Sequence, residues 1–277
     1  MSLTDDPKEL IEWYEGKDRV LTADFIAGIP WDKVKDSELG AQFIPVITYM
    51  RDVEKFTEVY YKELLMTPTG RDPILRHFID RWSVEEQTHA DLLNRFLEES
   101  NIPVEDKWFE KAKKKIPYSY RISSTIQSLV TNAFGKSFSA VHMTWGAINE
   151  LTTLHGYRRL WEQSGHPVLE YILRHIAQEE AVHAFFYSTL ARIELQRSRF
   201  AQQLTKYIVK NFWTPVGQGS KPAEDTNYVI KTLFEGSDGQ KRIDTFVNQP
   251  IAQLPGLVGL TKISDTIGNI SLGKAAT

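Results

Sequence analysis

The chain contains no cysteine. Disulfides, thiolate zinc sites, iron–sulfur clusters and a cysteine nucleophile are excluded together. Any metal must sit on the 7 histidines and 36 carboxylates, ligands that suit iron, manganese or zinc. An excess of one charge is also lacking: 33 basic against 36 acidic residues leave −3 over 277 residues, with no overall pull toward nucleic acid. No glycine-rich nucleotide-binding motif is present, so electrons for any redox reaction must come from a separate reductase or ferredoxin. The first twenty residues are polar and acidic, with neither the basic nor the apolar region of a secretory signal, and a cytoplasmic protein is expected. The stretch from Ile122 to Asn149 carries only Lys136 as a charge, but Ser, Thr, Asn, Gln and His interrupt it throughout. It reads as one or two helices buried within a bundle, and not as a membrane span.

Strand signals are sparse, and turn formers divide the chain into helical runs. The first extends from about Leu39 to Met66, with Phe43, Ile47 and Met50 on one stripe, and stops at Thr67 to Pro73. A second runs from about Pro73 to Ser100, with Pro73 suited to a first turn. The uncharged stretch carries a third to about Gln163. A fourth runs from about Pro167 to Arg197 or further, and Phe212 to Pro215 closes the set. The fold class expected is all-α: residues 39–213 form a four-helix bundle core within a single domain over 1–277. Residues 214–277 are a C-terminal loop and helical extension. This tail has three readings: a cover for a channel, a surface packed on a second subunit of a homodimer, or partly disordered chain.

A long repeat carries the chemistry. Glu54 is followed 32 residues later by Glu86, and Glu150 is followed 30 residues later by Glu180. Each later glutamate has a histidine three positions on, His89 and His183. Residues three apart share a helix face, so each Glu-x-x-His aims a carboxylate and an imidazole at one spot. Two such pairs with two single glutamates make a six-ligand site for two metals inside a ferritin-like bundle. Four carboxylates balance two divalent cations, which offsets the cost of burial. Glu150 is the only acidic residue between Glu110 and Glu162, and a lone carboxylate deep in an uncharged helix is costly without a partner. On the first helix both Glu54 and Glu58 are candidates; Glu54 fits the apolar stripe better.

The segment from Trp82 to Leu97, Trp-Ser-Val-Glu-Glu-Gln-Thr-His-Ala-Asp-Leu-Leu-Asn-Arg-Phe-Leu, resembles the first metal motif of soluble acyl-carrier-protein desaturases, Trp-Thr-Ala-Glu-Glu-Asn-Arg-His-Gly-Asp-Leu-Leu-Asn. The resemblance covers about Phe43 to Leu195. It implies two irons, with manganese the other metal these ligands suit. Glu86 and Glu180 would bridge them, Glu54 with His89 would complete one, and Glu150 with His183 the other. It also implies Thr153 on the oxygen side and Glu179 as an outer support for a histidine, although ordinary packing explains both residues equally well. The activity implied is O2-dependent desaturation of a fatty acyl chain bound to acyl carrier protein or coenzyme A, with electrons from a donor such as ferredoxin. Lys107, Lys111, Lys113, Lys114, Lys115 and Arg121 form a basic strip that suits an acidic docking partner, or a solvated helix face.

Two features depart from that family. Val20 to Pro30 resembles its N-terminal region but lacks the tryptophan that relays electrons there; Trp13 and Trp31 lie elsewhere and read as packing. The second motif, Glu-Glu-Ala-Val-His, is more apolar than the usual version. Two other readings share the ligand pattern. A di-iron N-oxygenase or hydroxylase would need a third histidine at the position of Ile176, where His175 is one residue off. A non-catalytic, iron-binding ferritin-like protein would be much shorter. Gly146 and Ala147, one turn before Glu150, are expected to leave open space beside the metals. His142, His155, His166 and His175 belong to no motif and read as packing or surface.

Overall fold

The computed structural model describes residues 4–116 and 137–273. Thirteen α-helices lie among them: α1 (Pro7–Glu15), α2 (Ala23–Ala27), α3 (Phe43–Leu64), α4 (Pro68–Arg71), α5 (Pro73–Glu99), α6 (Trp108–Lys115), α7 (Ser137–Ser164), α8 (Pro167–Gln196), α9 (Arg199–Phe212), α10 (Ala223–Phe234), α11 (Gly236–Ile243), α12 (Gln249–Ala252) and α13 (Lys262–Ser271). The described residues contain no strand, only an isolated bridge between Gln218 and Lys221.

The hairpins α3–α5 and α7–α8 pack together as a ferritin-like four-helix bundle, with the other helices around it. Local chemistry sets the helix starts. Asp72 accepts from the amides of Ile74 and Leu75, and Pro73 follows in the first turn of α5. His166 plays the same part for α8, accepting from Leu169 N through Nδ1 while Nε2 meets the carbonyl of Val34. This histidine is therefore a cap, and the chain turns into it through Gly165 at φ +61°.

One boundary differs from the sequence expectation. The first long helix begins at Phe43 and not near Leu39, because Gly40 to Gln42 form a turn closed by Phe43 N to Gly40 O. The last run ends at Gln196, at the nearer of the two expected limits: Ser198 leaves helical geometry and its Oγ accepts from Ala201 N, starting α9 afresh. The N-terminal half of the uncharged stretch, residues 122–136, and Arg121 of the basic strip lie outside the described residues.

The core runs the length of the bundle, with Ile47, Phe78, Leu93, Ile148, Leu160, Ile176 and Phe186 fully enclosed. Each such side chain contributes on the order of 1.5–3 kcal/mol through burial. The tail closes against the bundle: α10 packs on α3, α7 and α13. A buried ion network ties its approach loop down, with Lys221 Nζ 2.6 Å from Asp52 and Arg51 2.7 Å from the other oxygen of the same carboxylate. The Arg51 guanidinium also lies 3.8 Å from the ring centre of Trp108, fastening α6 to α3.

Candidate metal centre

The six candidate ligands meet in the middle of the bundle. Ligand atoms of Glu54, Glu86, His89 and Glu180 lie within 4.8 Å of one another, as do those of Glu86, Glu150, Glu180 and His183. Glu86 and Glu180 belong to both groups, and all six residues are buried. Glu54 points inward, whereas Glu58 turns out to Lys62 at 3.3 Å.

Each histidine faces the shared carboxylates with Nδ1. His89 Nδ1 is 3.1 Å from Glu180, and His183 Nδ1 is 3.1 Å from Glu86. Neither contact has hydrogen-bond geometry, and Nδ1 of both histidines, Glu86 Oε1 and both Glu180 oxygens lack a hydrogen-bond partner. Polar atoms buried without partners are expensive, and here five converge on one space. Their donor set is carboxylate and imidazole, which fits a pair of divalent cations.

The opposite ring nitrogens are held across the bundle. His183 Nε2 lies 2.8 Å from Glu85, and His89 Nε2 lies 3.1 Å from Glu179. The glutamate preceding each motif therefore supports the histidine of the other. A carboxylate at Nε2 keeps the proton there and leaves the Nδ1 lone pair for a cation. Glu85 also accepts from Tyr14 Oη at 2.9 Å and from Arg81 at 2.8 Å. Glu179 accepts from the amides of Val20 and Leu21, in the stretch that lacks a tryptophan. Trp13 packs on Phe185, and Trp31 donates to the carbonyl of Ile26 beneath Arg95, so both serve packing.

Electrostatics reflect four carboxylates forced together. Burial, then the charges of Glu86 and Glu180, push Glu54 and Glu150 well above the usual carboxylate range. Burial opposes the charged form of Glu86 as well, but contacts from Glu54, His183 and His89 outweigh it and hold that group low. The histidines are desolvated, yet the surrounding carboxylates outweigh this and raise both far above the ordinary imidazole range. The metal-free site thus holds protons where cations would carry the charge. Glu85 is pulled down to about 2: burial raises it, and His183 and Arg81 more than reverse that.

Three further contacts escaped the sequence reading. Tyr157 donates to Glu54 at 2.5 Å from one turn beyond Thr153, and Trp82 Nε1 donates to Glu150 at 3.1 Å. Tyr187 lies over Gly146, where an added Cβ would stand 2.3 Å from the ring. Gly146 therefore opens no space beside the metals; it admits the tyrosine. Gly146→Ala is expected to destabilise the fold by roughly 1–3 kcal/mol in denaturant titration, since overpacking displaces a buried ring.

The open space lies on the other side of Glu54. An apolar cavity of about 530 Å³, mouth included, is lined by Met50, Val53 and Glu54 of α3, by Thr153 and Gly156 of α7, and by Val229, Ile230 and Phe234 of α10. The tail is thus its outer wall, and Tyr49 Oη anchors the rim to the carbonyl of Val216 at 2.6 Å. Thr153 stands in this wall beside Glu54.

A paired Glu-x-x-His bundle beside an apolar cavity narrows the families the chain can belong to. The family model for fatty acid desaturase matches residues 48–204. The chain belongs to that family. Among solved structures it resembles DesA2 from Mycobacterium tuberculosis H37Rv, a proposed acyl-ACP desaturase, at 16% identity and a TM-score of 0.52. The match covers 91% of this chain and 94% of the other, and at that identity it shows a common fold. A search of curated proteins gives no match. Among the described residues of this desaturase-family chain, no helix is long and apolar enough to cross a membrane. Ile176 is fully buried in the core and His175 turns to the carbonyl of Tyr171, so neither supplies a third histidine.

Proposed function

We propose that the protein is a di-iron oxidase that introduces a double bond into a fatty acyl chain carried on acyl carrier protein, using O2 and electrons from a ferredoxin-type donor. The observation that carries this reading is the cluster of buried, unpartnered oxygen and nitrogen atoms of Glu86, His89, Glu180 and His183 next to an apolar cavity. Glu54 and His89 would hold one ion, Glu150 and His183 the other, with Glu86 and Glu180 between them. A reduced iron pair bound there supplies dioxygen activation and the oxidising power to remove hydrogen from an unactivated carbon.

The chain's own residues do the rest. Met50, Val53 and Gly156 form an apolar wall that positions a slender substrate and keeps water away from Glu54. Tyr157 and Trp82 orient Glu54 and Glu150 by hydrogen bonds, so neither carboxylate swings into the cavity. Thr153 lines the cavity together with Glu54, and its hydroxyl would hold a proton on the oxygen side. Glu85 and Glu179 keep the imidazoles aimed. The basic residues of α6, partly engaged with Glu105 and Glu110, offer a docking face for an acidic carrier.

The direct test is incubation of iron-loaded protein with saturated acyl-ACP, O2 and a reduced ferredoxin system, followed by mass spectrometry of the released acids. A product two mass units lighter supports the proposal; no O2 uptake and no unsaturated product with either carrier protein or coenzyme A thioesters overturns it. Gly156→Leu should cut turnover at least roughly tenfold with iron content unchanged, because the new side chain enters the cavity beside Met50. Glu85→Gln and Glu179→Gln should each weaken metal binding by about 10–100-fold in competition with a chelator. Their similar size would reflect the crossed arrangement.

A further inference from the structure

His142 belongs to no part of the site described above. It is buried, and neither ring nitrogen has a hydrogen-bond partner among the described residues. Its surroundings are aromatic: Tyr60 edge-on at 6.2 Å, Phe138 stacked at 6.3 Å and Tyr187 edge-on at 6.4 Å. Burial alone pushes its pKa down to about 4, so the ring is neutral near pH 7. A neutral imidazole buried without a partner is less favourable than a phenylalanine of similar shape, which asks for a ligand atom to complete it.

Its place in the bundle says which ligand. Met50 and Gly156 meet at the cavity end of the seam between α3 and α7. Tyr60 and His142 meet at the other end of the same seam, and Glu54 and Glu150 stand between. His142 is eight residues before Glu150, about 12 Å along the helix axis. A chain that enters by the cavity and passes Glu54 along this seam arrives at His142.

We propose that His142 is a specificity-determining residue that hydrogen-bonds a neutral polar substituent, a hydroxyl or a keto oxygen, on the far part of the acyl substrate. This rests on the fatty-acyl reading above. The rings that face His142 among the described residues are uncharged and offer nothing to balance a carboxylate or phosphate. A pocket built around a hydrogen-bonding group favours the ligand that satisfies it and discriminates against the analogue that does not.

The test is competition of octadecanoic acid and its positional monohydroxy isomers against a fluorescent fatty acid on the full chain, with wild type, His142→Phe and His142→Gln. At least one hydroxy isomer should bind wild type roughly tenfold more tightly than octadecanoic acid, the worth of one good hydrogen bond. His142→Phe should abolish that preference, and His142→Gln should keep part of it. The imidazole 15N resonances of wild-type His142 should move with the hydroxy acid and not with octadecanoic acid, a readout that needs no variant to fold. Octadecanoic acid binding as tightly as every isomer, a preference unchanged in His142→Phe, or an ordered water kept at His142 with both ligands would overturn the proposal and leave the fatty-acyl reading standing. Failure of every free acid to bind would overturn the proposal, whereas the fatty-acyl reading falls only if the thioesters give no O2 uptake and no unsaturated product.

Discussion

Glu180→Ala is expected to lower bound iron from two per chain to fewer than one and to bring desaturation below detection. Glu180 is one of two carboxylates common to both ligand groups, and both of its oxygens lack a hydrogen-bond partner. Its loss removes a donor from each ion at once, whereas Glu54→Ala or Glu150→Ala removes one from a single ion. The variant should still melt cooperatively without metal, and Glu180→Gln, which keeps the volume of this fully buried side chain, should lose iron with a metal-free melting temperature close to that of wild type. Unchanged folding with lost iron separates a ligand role from a packing role. Metal analysis by mass spectrometry and a thermal melt of the same sample supply both readings.

The second large effect is a pH-dependent stabilisation by metal. Glu54 and Glu150 have raised values in the folded protein, so the stability from their protonated forms is complete at acid pH and is lost as pH rises through those values. His89 and His183 are also raised, so their contribution is full below about 6.5 and is lost on the alkaline side. Glu85, Glu86 and Glu179 are lowered; their contribution is present above about 4.5 and is lost as pH falls through the folded values. The metal-free protein should therefore be most stable at mildly acid pH and weaken toward pH 8. Divalent cations replace the protons on Glu54, Glu150, His89 and His183, so their uptake releases protons and tightens as pH rises. At a hundredfold excess over the dissociation constant each ion adds about 2.7 kcal/mol. Two ions should raise the melting temperature by roughly 10 °C or more at pH 8, and by less at pH 6. Calorimetric melts with and without Fe(II) under nitrogen at the two pH values measure the difference.

Much of the candidate centre was legible because its proposed ligands obey rules internal to one helix. Glu86 with His89, and Glu180 with His183, share a face by their spacing of three. Glu150 stood out as a lone carboxylate in an uncharged stretch. Glu54 was separated from Glu58 by the apolar stripe, and the inward turn of one and the outward ion pair of the other agree with it. What escaped depends on how one helix is placed against another. Glu179 was expected to support a histidine, but that it serves His89, and that Glu85 does the same for His183, follows from the crossing of α5 and α8. Gly146 was read as open space because its partner, Tyr187, sits on a different helix. The cavity wall comes from α10, whose sequence carries no mark of the site it covers. Ser198 fixes where the next helix starts, since a cap is a matter of one hydroxyl and not of hydropathy.

One chain is expected to hold two metal ions on Glu54, Glu86, His89, Glu150, Glu180 and His183. Anaerobic titration of metal-free protein with Fe(II), followed by its absorbance and by equilibrium dialysis, measures this directly. The expected end point is two ions per chain, falling below one in Glu180→Ala. An end point of one or none in the wild-type protein, or of two in that variant, would contradict it.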